Sequence, residues 1–312
     1  MKPQWGFGSS ASIAIGLASL VVVGTLTLAA CGGSSTKAAT SPSATPFAAA
    51  TPLALVGSDS VAVTQQAVDA YAAAWDGQSV ARIGALYADD VVFDCHATGV
   101  HVDGRAALLK MLGGVCAMTK GTRSLAGYAG RGWAVLELRQ DIAAGSMQIL
   151  QLVETRGGKI VRHANYYQPL EGQVGPLRVA TPLGSAPGPA DTPAASKAVA
   201  LRYAAALQEK DAAAIAALSA PTIALADTAS SAVGGSPGDA QHHYAEIFET
   251  PADLAFTHPR YVAGCGWAAV VWTAGSQSCG ASGNGVTMLE IRDGKVNRET
   301  LYYSSTKVPF GV

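Results

Sequence analysis

Charge is scarce in this chain. Only 14% of its 312 residues are Asp, Glu, Lys or Arg, and 21 basic side chains stand against 22 acidic ones. So even a balance, with no basic run, leaves no electrostatic footprint for nucleic acid. Cysteine is scarce as well, five residues in all, and none has the short paired spacing of a zinc site. The histidines do not supply one either. His96, His101 and His163 match no short ligand motif, and the adjacent pair His242–His243 would project about 100° apart on a helix. No metal and no cofactor is expected. Long apolar runs are missing everywhere except at one place near the start.

That place is residues 11–30, "ASIAIGLASLVVVGTLTLAA", preceded by a short segment with Lys2 as its only cation. It suits the apolar core of an export signal. The run ends on "LAAC" at Leu28–Cys31, which resembles the bacterial lipoprotein cleavage box. The resemblance implies a signal peptide over residues 1–30 and cleavage before Cys31, which is left acylated, palmitate among its chains. Two or more chains anchor stably where one binds only marginally. The expected location is the outer, extracytoplasmic face of a bacterial membrane, held in the cell membrane's bilayer by lipid. Residues 31–60 then read as a flexible tether of small residues.

With Cys31 lipidated, four cysteines remain for an oxidising compartment. They are Cys95 and Cys116 in one region, Cys265 and Cys279 in another. Three pairings are formally open. Local pairing, Cys95–Cys116 and Cys265–Cys279, is the economical expectation.

What is abundant is self-similarity. "YAAAWDGQSVARIGALYADDVVFD" from Tyr71 is echoed by "YAAALQEKDAAAIAALSAPTIALAD" from Tyr203, at an offset of 132. "GWAVLEL" at 132–138 is echoed by "GWAAVVW" at 266–272, and "GGKIVRHANYY" at 157–167 by "DGKVNRETLYY" at 293–303. The same order at a nearly constant offset marks an internal duplication. The expected division is a first domain over 61–175, a Pro/Gly-rich linker over 176–196 and a second domain over 197–308. Each copy opens with helical periodicity: Val68, Tyr71, Ala72 and Trp75 fall at i, i+3, i+4 and i+7. Ser79 and Asp211 are the expected N-caps of the second helix in each copy. A short strand, a brief helix and at least three antiparallel strands follow, with hairpin turns at "TRGGK" and "RDGK". The expected class is α+β, helices packed on a curved antiparallel sheet.

The helix pair, "ADDVVFD", "DGRAALLKML", "GWAVLELRQ" and "GGKIVRHANYY" together resemble the SnoaL-like members of the nuclear-transport-factor-like (NTF2-like) superfamily. The first region matches over most of its length. The second matches at both ends and departs at "SSAVGGSPGDAQ". The resemblance implies two tandem cone-like domains, each wrapping its sheet around a helix-lined apolar pocket. It also implies a choice among isomerases, epoxide hydrolases, cyclases, dehydratases and non-enzymatic binding domains. In relatives similar to ketosteroid isomerases, a helix tyrosine and a carboxylate ending the first strand carry the chemistry. Those positions fall on Tyr71 and Tyr203, and on Cys95 in the first copy but Asp227 in the second.

Period-two alternation in "VVFDCH" puts Val91, Phe93 and Cys95 inward and Val92, Asp94 and His96 outward. The catalytic candidates are therefore Tyr203 with Asp227 and, at the rim of the first copy, Asp94 with His96. Tyr203 and Asp227 are expected to approach each other without a third polar partner. Ligand-pocket candidates are the aromatics Tyr71, Trp75, Tyr87, Phe93, Trp133, Tyr167, Trp267 and Tyr303. His163 has a parity opposite to Ile160, and the two adjacent histidines read as surface or rim groups. The leading expectation is a lipid-anchored protein binding a small apolar ligand or an envelope protein. Acid–base enzymology of the SnoaL-like kind is the alternative, and a scaffold made of two sheets packed on each other is the third.

Overall fold

The computed structural model describes residues 50–142, 145–167, 191–227, 232–249, 251–278 and 281–303. The signal segment, Cys31, Cys279 and most of the expected linker lie outside the described residues. Among the described residues, no helix is long and apolar enough to cross a membrane.

In the first half, helix α1 (Val61–Asp76) starts where Ser60 accepts from the Val63 N–H. It buries Thr64, Ala67, Val68, Tyr71, Ala74 and Trp75, one stripe at helical spacing. Helix α2 (Val80–Leu86) is capped by Ser79, as its sequence predicts. Strands β2 (Tyr87–Cys95) and β3 (Val100–Asp103) lead to helix α3 (Arg105–Met118). Strands β4 (Thr119–Gly130), β5 (Trp133–Ile142), β6 (Gly145–Arg156) and β7 (Lys159–Tyr167) complete the half. A two-residue strand, β1 (Thr51–Pro52), precedes it.

The second half repeats the order. Helix α4 (Pro193–Glu209) starts inside the expected linker, because Thr192 caps it and Pro193 sits where its missing N–H costs nothing. Then come α5 (Ala212–Leu218), capped by Asp211, β8 (Ser219–Asp227), β9 (Val233–Gly234), α6 (Pro237–Glu249) and strands β10 (Ala255–Gly264), β11 (Trp267–Ser276), β12 (Ala281–Arg292) and β13 (Lys295–Tyr303). The sheets have the same internal order, β3-β2-β7-β6-β5-β4 and β9-β8-β13-β12-β11-β10, with β1 added beside β10. They are not wholly antiparallel: β2 joins β7, and β8 joins β13, in parallel. The β6–β7 and β12–β13 hairpins turn on Gly157–Gly158 and Asp293–Gly294, all at positive φ, the conformation of a tight two-residue hairpin.

Three apolar clusters result. One fills each half between its helices and the concave side of its sheet. The third lies between the sheets: Tyr128, Trp133, Val135, Leu150, Leu152 and Tyr166 meet Val262, Trp267, Val271, Val286, Met288 and Tyr302. Each side chain of this size contributes about 1.5–3 kcal/mol when fully buried. Trp133 and Trp267, expected in the pockets, belong here instead, their ring centroids 4.6 Å apart. Charge also crosses this interface. Arg298 of β13 lies 3.3–3.4 Å from the Glu137 carboxylate of β5, and the Tyr302 hydroxyl donates to that carboxylate. Gln148 Nε2 donates to the Tyr302 oxygen at 2.6 Å.

Residues 51–60, read from sequence as tether, are docked. Leu53 N donates to Tyr261 O, Gly57 N to Glu154 at 3.1 Å, and Ser58 N to Thr155 O. The backbones at Gly57 and Gly132 approach so closely that a side-chain carbon at Gly57 would sit 1.7 Å from the Gly132 carbonyl oxygen.

The expected Cys95–Cys116 disulfide is absent; both are free thiols. Cys95 points into the first core, as its parity predicts. Helix α3, expected to be brief, runs on to Met118, and this fixes Cys116 on its last turn at the edge of the same core. Cys265, in the β10–β11 turn, is likewise free and exposed.

Candidate functional site

Each half carries a buried polar centre at the same place, and the two differ in kind. Both centres rest on the helix-borne tyrosine and on the last two strands. In register, Gln151 pairs with Asn165 and Val153 with His163 in the first half, where Thr287 pairs with Leu301 and Leu289 with Glu299 in the second. His163 and Glu299 are therefore equivalent positions, as are Gln151 and Thr287.

In the first half, Tyr71 on α1 hydrogen-bonds Tyr87 at 3.1 Å, and the Tyr87 hydroxyl lies 2.6 Å from His163 Nδ1. His163 is enclosed by aromatic rings: stacked on Tyr87, edge-on to Tyr71 and Phe93. Burial pushes its pKa down to about 4, with Asn165 opposing, so the imidazole is neutral near pH 7. Burial likewise pushes the Tyr71 phenol up. Beside this chain lies a cavity walled by Trp75, Phe93, Met111, Leu112, Val115, Leu138, Gln140, Ile149, Gln151 and Asn165, with about 20 Å³ open to the centres of water-sized molecules. Four side-chain atoms here meet no protein partner in hydrogen-bond geometry: Trp75 Nε1 and Gln151 Oε1, which stand beside the Tyr71 hydroxyl, and Asn165 Oδ1 and His163 Nε2, whose residues adjoin. Their residues are only 4%, 1%, 6% and 0% exposed, so each would carry the penalty of an unmade hydrogen bond. No wall residue is ionisable.

In the second half the polar groups answer one another. Tyr203 on α4 donates to Glu299 Oε1 at 2.6 Å, and Tyr244 on α6 donates to the same oxygen. Thr287 Oγ1 accepts from Trp272 Nε1 at 3.0 Å and lies 3.4 Å from the Tyr203 hydroxyl. Tyr303 donates to Asp227 Oδ2 at 2.8 Å, and His243 Nε2 stands 3.1 Å from the same oxygen, at ion-pair distance but off the hydrogen-bonding direction. Burial disfavours the His243 cation, yet Asp227, Glu299 and Glu246 outweigh it and hold its pKa above the ordinary value. Burial raises the Glu299 carboxyl, while Tyr203, Tyr244 and His243 oppose that shift. Phe256, Trp272 and Tyr303 pack in this core.

The expected residues thus separate. Tyr71, Trp75, Tyr87 and Phe93 do surround one buried centre, and Tyr203, Asp227 and Tyr303 lie in the other. Tyr203 and Asp227 bond different partners, and each has more than the sequence suggested: Glu299 and Tyr244 for one, His243 and Tyr303 for the other. Asp94 and His96 face outward. Asp94 binds His101 Nδ1 at 2.7 Å, and His96 stacks on Tyr166 at 4.7 Å. The side chain of Tyr167 lies outside the described residues. Arg139 and Arg162 are engaged with Asp141 and Glu154.

Sequence reasoning missed His163, Glu299, His243 and Tyr244. Counting by twos from Ile160 sends His163 outward, but β7 carries a bulge: Thr155 pairs with Ile160 and Glu154 with Arg162, leaving Val161 extra. The bulge flips the phase, so Ile160 and His163 are both fully buried. The same irregularity in β13, between Val296 and Arg298, turns Glu299 inward. The signal was present in the echo of "RHAN" by "RETL", two polar residues at one position of a duplicated core. A larger open groove of about 420 Å³, lined by Asp253, Thr257, Thr273, Ser276 and neighbours, shares no residue with either centre.

Residues 200–299 match the family model of the SnoaL-like domain, so the second half of the chain contains such a domain. No curated protein matches the chain. Among solved structures, the chain is similar to a hypothetical protein with a ketosteroid isomerase-like fold from Catenulispora acidiphila in complex with trimethylamine, at 26% identity over 33% of this chain and 86% of that one, TM-score 0.30. It is also similar to an NTF-2 like protein of unknown function from Burkholderia xenovorans, at 17% identity over 41% and 97%, TM-score 0.33. A third is an LEH-like epoxide hydrolase from M. tuberculosis, at 16% identity over 34% and 84%, TM-score 0.31.

Proposed function

We propose that this protein binds a small, largely apolar molecule in its first half, which we read as a second SnoaL-like domain, and that the other half is its structural partner. The observation that carries this reading is the cavity beside Trp75, Gln151 and Asn165, whose buried polar atoms meet no protein partner in hydrogen-bond geometry. Natural cores satisfy such groups, and three of them around one apolar cavity are the arrangement of a binding site. A fragment screen by ligand-observed NMR tests it, using the whole chain and a Val115→Trp variant whose indole fills the cavity. Fragments should bind the parent and lose at least tenfold in affinity for the variant. Binding unaffected by Val115→Trp would overturn the reading.

A second reading, acid–base turnover in the second half, is favoured by one observation: His243 and Asp227 lie 3.1 Å apart in a buried setting. Against it stands the engagement of the acid: Tyr303 donates to the Asp227 oxygen that faces His243.

The binding half would work outside the cytoplasm, tied to a membrane through Cys31. The apolar run ending on "LAAC" supports this. Membrane fractionation should find the chain with the bilayer and the Cys31→Ser variant in the soluble fraction. An unmodified N-terminus in the mass spectrum would remove the anchor without touching the binding site.

A further inference from the structure

The cavity of the first half says what its occupant looks like. We infer that the occupant is an uncharged molecule whose head both donates and accepts a hydrogen bond, a carboxamide or an alcohol, on an apolar body. This rests on the reading of that half as a binding site.

Trp75 Nε1 can only donate, so the head must offer an acceptor. Gln151 Oε1 accepts, and Asn165 Oδ1 is only loosely engaged by the His163 ring beside it, so the head must also offer a donor. Gln151 and Asn165 are cross-strand partners on β6 and β7, and Trp75 lies on α1. The donor and the acceptors thus face the cavity from different elements. Trp75 and Gln151 stand beside the Tyr71 hydroxyl without meeting it in hydrogen-bond geometry, and Tyr71 is already bonded to Tyr87.

Charge is excluded by the same wall. An ammonium or carboxylate here would leave water without meeting an opposite charge, because none of the lining side chains is ionisable. This separates the site from its counterpart, where Asp227 and Glu299 occupy the interior.

The apolar body needs more room than the cavity offers, and one wall can yield. Met111, Leu112 and Val115 come from α3, which has Gly113 and Gly114 in its middle. Both glycines face open space, and two consecutive glycines weaken a helix at that point. Met111 is unbranched and adapts its shape readily.

The test uses the full chain and five probes built on one benzene ring: benzamide, benzyl alcohol, benzoate, benzylammonium and toluene, titrated calorimetrically at pH 7. Benzamide and benzyl alcohol should bind at least tenfold more tightly than either ion and than toluene. Gln151→Leu, which removes an acceptor without emptying the space, should cut that preference over toluene to less than threefold while toluene still binds. Benzoate or benzylammonium binding as well as benzamide would overturn the inference and leave the binding site standing. If none of the five binds and a crystal structure shows only a water between Trp75 and Gln151, the reading of this half as a binding site falls too.

Discussion

His163 and His243 are two buried histidines with opposite responses to pH. His163 is pushed down to about 4, against 6.5 when unfolded, because burial penalises its cation. Its contribution is present above pH 6.5 and is lost as pH falls from there through about 4, an amount on the order of 3 kcal/mol. His243 is held above its ordinary value by neighbouring carboxylates, so its contribution is present below pH 6.5 and is lost as pH rises through the raised value. Urea unfolding followed across pH should therefore show an acid limb that flattens in His163→Gln, which keeps an acceptor for Tyr87. Its alkaline limb should flatten in Asp227→Asn instead. An acid limb unchanged by His163→Gln would show that the imidazole is not held neutral. Neither histidine has this role in the sequence pattern: for His163 a single inserted residue reverses the count in twos, and His243 is one of two adjacent histidines on a helix, of which only the fold decides which is buried.

At the scale of elements, much was legible. The helix pair in each half, its caps at Ser79 and Asp211 and the glycine turns follow from local chemistry: side-chain oxygens that satisfy free N–H groups, and residues that tolerate positive φ. What local chemistry does not encode is which strand neighbours which, or where a helix stops when no proline or C-terminal glycine ends it. The pattern predicts only a brief helix here, and α3 runs through Gly113 and Gly114 to Met118. Because both glycines face open space, Gly113→Ala with Gly114→Ala should stabilise the chain by about 1–2 kcal/mol in thermal unfolding. If the weak turn is what lets α3 yield to a ligand, benzamide affinity should fall in the same variant. Higher stability with undiminished affinity would place the yielding elsewhere.

For the whole molecule, the face between the sheets decides most. Sequence reasoning assigned Trp133 and Trp267 to pockets, since an aromatic on a strand has two faces to choose from and only the partner sheet settles which is covered. Arg298 and Glu137 cross the same face, 8% and 0% exposed at their side chains. Burial opposes the Arg298 charge, and the Glu137 carboxylate restores it. Removing one partner leaves a buried charge alone, which costs about 3–5 kcal/mol. Glu137→Gln should lower the urea midpoint accordingly, and Glu137→Leu with Arg298→Met should recover most of the loss. A Glu137→Gln variant as stable as the parent would mean that water reaches Arg298.

The sheets that face each other here are carried on one chain, which has a consequence for inheritance as well as for stability. Two copies of a single gene product meeting in this way would share every substitution, so a change that suited one interior would be imposed on the other. Joined in tandem, each half is written separately. One interior holds His163 and a cavity, and its counterpart holds Glu299 and Trp272. Their meeting is intramolecular, so dilution does not part them. The face that each sheet turns away from its own helices is covered by the other.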